Sequence, residues 1–190
     1  MSRILVVSGS PRAKGNCSVL IEQFCFGASQ FNATIEVVRL HDRNIHPCAA
    51  CRSCKESDEA NCVIDDGMTD LYPKIRAAQA LVIASPIYWW NVSAQTKLFL
   101  DRCDALDGPS GNVLRGKALA LLLAYGGESV EGSGASHAIG AFQDAAEYIG
   151  FNLVGIAHGT AWEAGEIREN EIAMEMAYQV GADIARIVTK

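Results

Sequence analysis

Basic residues, long apolar runs and prolines are all scarce in this sequence, and each shortage excludes something. Sixteen Lys and Arg stand against 22 Asp and Glu, a formal net charge of −6. Nucleic-acid binding draws on cations gathered on one face; no basic run supplies them, so no nucleic-acid partner is expected. No stretch approaches the roughly 18 uninterrupted apolar residues of a membrane-spanning helix, so no membrane partner is expected either. The opening MSRILVVSGS lacks the longer apolar stretch and cleavage site of a secretory signal, and the expectation is a cytoplasmic protein. With only five prolines, no Pro/Ser-rich linker and no internal repeat, residues 1–190 are expected to form one domain.

Cysteine is what the chain has in quantity. There are seven, and Cys48, Cys51, Cys54 and Cys62 fall within one short window. Structural disulfides are rare in a reducing cytoplasm, where clustered cysteines more often hold metal or do redox work. Cys17, Cys25 and Cys103 stand apart; Cys25, in IEQFCFG, reads as a small buried hydrophobe.

Apolar patterning alternates between the two regular periods. Strands are expected at 3–10, 34–40, 80–86, 117–127 and 151–159, and helices at 16–30, 68–78, 92–107, 137–149 and 169–188. Five apolar strands separated by helices imply an α/β fold, a parallel sheet covered on both faces. Right-handed crossovers leave few topologies, of which the flavodoxin-like doubly wound order 2-1-3-4-5 suits five strands. The connection 41–67, after the second strand, is unusually long, and such loops are commonly functional. It carries the four clustered cysteines.

Ligands of such sheets sit outside the carboxyl ends of the strands. The first loop there, SGSPRAKGNCS (8–18), has small residues for a tight turn, hydroxyls at Ser10 and Ser18, and Asn16 as a helix cap. Backbone N–H groups at that helix start suit an anion. A phosphate-binding Walker loop is excluded, because five residues separate Gly9 from Gly15 and Asn16 replaces the lysine. The dinucleotide fingerprint fails at Pro11, which takes the second glycine's place. An ordinary capped turn is the plain alternative. After the third strand, SPIYWWNVSAQTKLFLDR (85–102) presents Tyr88, Trp89 and Trp90 in a loop, as walls for a flat ring or as core filler. The loop after the fourth strand offers Tyr125, Gly126 and Gly127, and glycines let backbone approach a ligand closely.

GSPRAKGN, SPIYWWNVSAQTKLFLDR and YGGE together resemble the NAD(P)H-dependent FMN reductase branch of the flavodoxin-like superfamily, over nearly the whole chain. The resemblance implies that Ser10, Arg12, Asn16, Cys17 and Ser18 surround the FMN phosphate. Pro86, Ile87, Tyr88, Trp89 and Asn91 would border the isoalloxazine, with Tyr125, Gly126 and Gly127 on its other side. The family usually has Ser or Thr where this chain has Cys17, a weaker side-chain donor whose backbone N–H is unaffected.

Within that superfamily, Cys48-x2-Cys51-x2-Cys54-x7-Cys62 resembles the compact motif of iron–sulfur flavoproteins, which implies that these four cysteines ligate a 4Fe–4S cluster. Three cysteines spaced by two residues can curl round one face of a cubane and leave the fourth iron to a more distant thiolate. Zinc more often takes two separated C-x2-C knuckles, and uncoordinated thiols are the third possibility. Arg52 and Lys55 can offset cluster charge, although Asp58 and Glu59 follow.

The function expected is electron transfer between a reduced donor, ferredoxin or NAD(P)H, and an acceptor, through FMN and the cluster. No general acid or base is named, because the cofactor carries the chemistry. His41, His46, His137 and His158 read as structural or exposed. Asp101 and Arg102 read as a mutual pair, a subunit contact or a solvated helix face. The alternatives are a cluster-free NAD(P)H-dependent FMN or quinone reductase and a non-enzymatic flavodoxin-like carrier. A homodimer or homotetramer is expected, with Trp89, Trp90 and Trp162 shared between chains.

Overall fold

The computed structural model describes residues 3–58 and 62–190, so Glu59 lies outside the described residues. In chain order the elements are β1 (Arg3–Ser8), α1 (Asn16–Ala28), β2 (Thr34–Arg39), α2 (Leu71–Ala77), β3 (Ala80–Tyr88), β4 (Asn91–Val92) and α3 (Ala94–Arg102). They continue with β5 (Asp107–Gly108), β6 (Gly111–Asn112), β7 (Ala118–Tyr125), α4 (Val130–Ser133), α5 (Ala135–Ile149), β8 (Asn152–Thr160) and α6 (Glu171–Val188).

Five strands form a parallel sheet in the order β2-β1-β3-β7-β8. This is the expected flavodoxin-like 2-1-3-4-5 order. β1, β3 and β7 at its centre are buried nearly end to end, which is why they read as unbroken apolar runs. One face carries Ile4, Val6, Val82 and Leu122 against α1 and α6. The other carries Leu5, Val7, Ile83 and Leu121 with residues of α2, α3 and α5. The period-2 alternation of each strand thus serves two cores at once. α1 and α6 touch through glycine: a Cβ on Gly27 would strike the Tyr178 carbonyl, and one on Gly181 the Phe24 carbonyl. No helix among the described residues is long and apolar enough to cross a membrane.

Two differences from the expected boundaries bear on the site. β3 runs on to Tyr88, so this tyrosine ends a strand and only Trp89 and Trp90 make the turn into β4. The helix expected at 92–107 begins at Ala94 because Ser93 caps it, accepting from Thr96 N at 3.2 Å. It ends at Arg102, gives way to a 3-10 turn at Cys103–Leu106, and is followed by the hairpin β5–β6.

Candidate functional site

The loop between β1 and α1 opens onto the carboxyl edge of the sheet. Gly9 N donates to Ala84 O at 2.8 Å, which draws the loop tightly to β3. α1 begins at Asn16 with Gly15 as its cap residue and no side chain capping it; Ser18 N donates to Gly15 O at 3.1 Å, which leaves the N–H groups of Asn16 and Cys17 for an anion. Asn16 is therefore not the cap. Its Oδ1 accepts from Gly165 N at 2.9 Å and Ile167 N at 3.3 Å, and its Nδ2 donates to Ala161 O at 3.4 Å. The asparagine latches the loop after β8 onto the start of α1. Cys17 is buried, and burial pushes its thiol up to about 12, against the opposing pull of the Ser10 hydroxyl. It stays a neutral thiol. Ser18 Oγ donates to Ala13 O at 2.9 Å.

The second wall is the β3–β4 hairpin. Tyr88 pairs with Asn91, leaving Trp89 and Trp90 as a two-residue turn with φ of 52° and 60°. A two-residue hairpin with positive φ at both central positions ordinarily selects Asn-Gly; two tryptophans there hold strained backbone. Trp89 is 90% exposed, while Trp90 presses on Gly134. Beneath the hairpin lies a buried hydroxyl network. Ser93 Oγ donates to Gly9 O at 2.7 Å, Ser93 N donates to Ser85 Oγ at 3.1 Å, and Thr96 Oγ1 donates to Ser85 Oγ at 3.1 Å. The first loop and the start of α3 are thereby one rigid unit.

Ser10, Arg12, Asn16, Cys17, Pro86, Ile87, Tyr88, Tyr125 and Gly126 line one cavity of about 250 Å³. Ser18, Trp89 and Gly127 stand outside its lining, and Asn91 instead borders an apolar cavity between α3 and α5. The Tyr125 side chain is buried, its hydroxyl 3.0 Å from Nδ1 of His158. His158 thus has a partner, and burial holds its ring below the ordinary histidine value. The cavity also gains Trp162, whose ring lies about 3.0 Å from where a Gly126 Cβ would stand. Glu166 Oε2 accepts from Trp162 N at 2.6 Å and Glu163 N at 2.7 Å, so this tryptophan is seated from below as well as by Asn16.

Cys48, Cys51, Cys54 and Cys62 line a second cavity, of about 380 Å³, with Asp101 and Asp104 at its border. Ala50 and Arg52 bend the loop through the left-handed region, at φ of 52° and 64°. Ala50 N donates to Cys48 Sγ at 3.4 Å. Hydrogen bonds from Ser53 hold the Cys51 thiol below its ordinary value, whereas burial followed by Asp104 pushes Cys54 up. Among the described residues, no three His, Cys, Asp or Glu converge on a single-ion centre. Lys55 is committed to Asp104 and Asp107, at 2.9 and 3.2 Å.

Both stems of this loop meet at Arg102. Its Nη1 donates to Asp66 Oδ2 at 2.6 Å and His46 O at 2.9 Å, and its Nη2 to Ile64 O at 3.2 Å. Asp66 accepts in turn from His46 N at 2.8 Å and Met68 N at 2.9 Å. Burial raises the Asp66 carboxyl, but Arg102 and these N–H groups outweigh it and hold the group below the usual carboxylate value. Asp101 pairs with Lys97. The two are not a mutual pair, and the solvated helix face holds for Asp101 but not for Arg102, which is 1% exposed.

The profile of the NADPH-dependent FMN reductase family matches residues 2–156, which span both cavities' main loops. The chain belongs to this family. An iron–sulfur flavoprotein of Methanosarcina thermophila is 37% identical over 100 residues, 53% of this chain and 51% of that protein. One from Archaeoglobus fulgidus is 30% identical over 188 residues, 94% of this chain and 77% of its own. The chain thus spans about half the length of some curated relatives it matches. A solved NAD(P)H:quinone oxidoreductase from Methanothermobacter marburgensis superposes with a TM-score of 0.74 at 18% identity, over 96% of this chain and 98% of that one. That likeness carries the fold.

Proposed function

We propose that this family member is an FMN-dependent oxidoreductase passing electrons between a reduced donor, ferredoxin or NAD(P)H, and an acceptor, through FMN and a 4Fe–4S cluster. One observation carries the reading: an anion-ready cavity and a four-thiol cavity sit at the two ends of a single helix, α3. FMN supplies a carrier that takes two electrons together and releases them singly, and a cluster one that moves a single electron.

Ser10, Arg12 and the N–H groups opening α1 would hold the FMN phosphate, with Asn16 fixing the loop beside it. Arg12 supplies the local cation that an acidic chain otherwise lacks. Pro86, Ile87 and Tyr88 would border the ring on one side and Tyr125 and Gly126 on the other, with Trp162 excluding water. Ser18, Trp89, Asn91 and Gly127 would act from the rim. The neutral, buried Cys17 serves through its backbone N–H.

The donor set suits a cluster. Four thiols share one cavity, a backbone N–H already reaches Cys48 Sγ, and the sulfurs of a cluster stand on separate irons, so they do not need to converge as zinc ligands do. Cys48, Cys51, Cys54 and Cys62 would be its ligands. A second reading, a cluster-free NAD(P)H-dependent FMN or quinone reductase, is favoured by the exposure of Cys48 and Cys51. The reading includes a cytoplasmic homodimer or homotetramer, its contacts built on the exposed Trp89, Trp90 and Trp162, and no nucleic-acid or membrane partner.

Four measurements test it. Acid release and chromatography of the bound flavin should give FMN; FAD as the sole product sinks the flavin assignment. Protein purified without oxygen should show a broad brown shoulder beneath the flavin bands. A pure flavin spectrum, with steady turnover of NAD(P)H, selects the cluster-free reductase. Light scattering showing a monomer at micromolar concentration removes the oligomer.

A further inference from the structure

Arg102 carries a full charge into a site 1% exposed, and its Nε is buried with no hydrogen-bond partner among the described residues. A desolvated guanidinium with an idle donor is costly to keep. Flavin binding does not explain it, because the flavin-side cavity lies at the opposite end of α3. Folding alone explains it poorly: well-packed apolar residues in place of a buried ion pair are often as stable or more so. What surrounds Arg102 is the cysteine loop. It fixes His46, two residues before Cys48, and Ile64, two residues after Cys62.

We propose that Arg102 is the positioning residue of the four-cysteine centre, tying both stems of its loop to α3 and supplying the buried positive charge that four thiolates require. This rests on the reading that the cysteines hold a cluster. Of the other charges around the loop, Lys55 is taken by Asp104 and Asp107 and Asp101 by Lys97, while Arg52 lines the cavity as an exposed cation, so Arg102 is the buried one. Asp66 fixes the guanidinium and partly offsets its charge. The two members of the pair should therefore act on the centre in opposite senses, since net charge near a cluster sets its reduction potential.

The test uses anaerobically reconstituted protein, measuring iron, sulfide and FMN per chain and the cluster midpoint potential by a titration followed by electron paramagnetic resonance. Arg102→Gln should weaken cluster retention roughly tenfold or more and move the potential of the remaining cluster negative. Asp66→Asn should move it positive. FMN content should hold in both. Should Arg102→Gln not fold, Arg102→Lys replaces it: the retained charge keeps the potential near wild type while cluster is lost faster, because an ammonium cannot bridge both carbonyls and the carboxylate. Potentials that stay put, or shift in the same direction in Arg102→Gln and Asp66→Asn, overturn the proposal, as does loss of FMN and iron in parallel. Wild-type protein that takes up no iron overturns the cluster reading itself, and this role of Arg102 with it.

Discussion

Arg102 Nη1 lies 2.6 Å from Asp66 Oδ2, and neither side chain is more than 1% exposed. The pair closes the cysteine loop at its base, so acid should open it there. The Asp66 carboxyl is held below its ordinary value in the folded protein. Its contribution to stability is thus fully present above the unfolded value, near pH 4, and is lost as pH falls through the depressed folded value. Asp66→Asn should be less stable than wild type at pH 7 by about 3 kcal/mol, and the gap should narrow in acid. Thermal melts from pH 7 to pH 3 check this; a constant gap refutes it.

A Cβ on Gly9 would run into Thr96 Oγ1 and stand 2.9 Å from Ser93 Oγ. Gly9→Ala should cost about 1–3 kcal/mol through overpacking and lower FMN content at once, because the same residues join the first loop to α3. Adding Thr96→Ala should recover part of both. Flavin-to-protein absorbance and melting temperature are the readouts, and an unchanged pair of values would show the hydroxyl network to be slack.

Trp89 occupies a left-handed turn position while 90% exposed. Asparagine suits that backbone better, so Trp89→Asn should leave the apoprotein as stable or stabilise it by up to about 1 kcal/mol. FMN binding should nonetheless weaken, which would show the strain to be kept for the ligand. A marked drop in melting temperature instead would mean that tryptophan is retained there for packing.

The cysteines divide into two groups. Alanine at Cys48, Cys51, Cys54 or Cys62 should lower iron and sulfide content while FMN largely remains. Alanine at Cys25, half-buried, or Cys103, buried and pushed up to about 12 by that burial, should leave iron unchanged. Colorimetric iron and sulfide assays decide it. Stoichiometric zinc without iron in the wild type would replace the cluster with a zinc site.

The sheet was legible because β1, β3 and β7 are covered on both faces and so read as unbroken apolar runs. The carboxyl-edge loops were legible by topology, since any such sheet presents them there. Long-range partnerships were not. Nothing local distinguishes Arg102 from a solvated residue at a helix end; its burial depends on Asp66, far away in sequence. Trp162 joins the cavity on a loop that Asn16 reaches across from α1 to hold and that Glu166 braces. Ser93 is the exception, a signal that could have been used: a serine directly before a helical pattern marks a start, and it would have moved the predicted helix boundary from 92 to 94.

α3 spans nine residues between Ser93, bonded to the Gly9 carbonyl, and Cys103. At about 1.5 Å per residue it is a strut roughly 14 Å long. A helix also fixes phase. Each added residue rotates the remainder of the helix by about 100°, so one insertion within α3 would swing the guanidinium out of its carboxylate while leaving the hydroxyl network at the other end untouched. The loops at either end can accept changes in length with far less consequence. This segment is where the protein has the least room to drift.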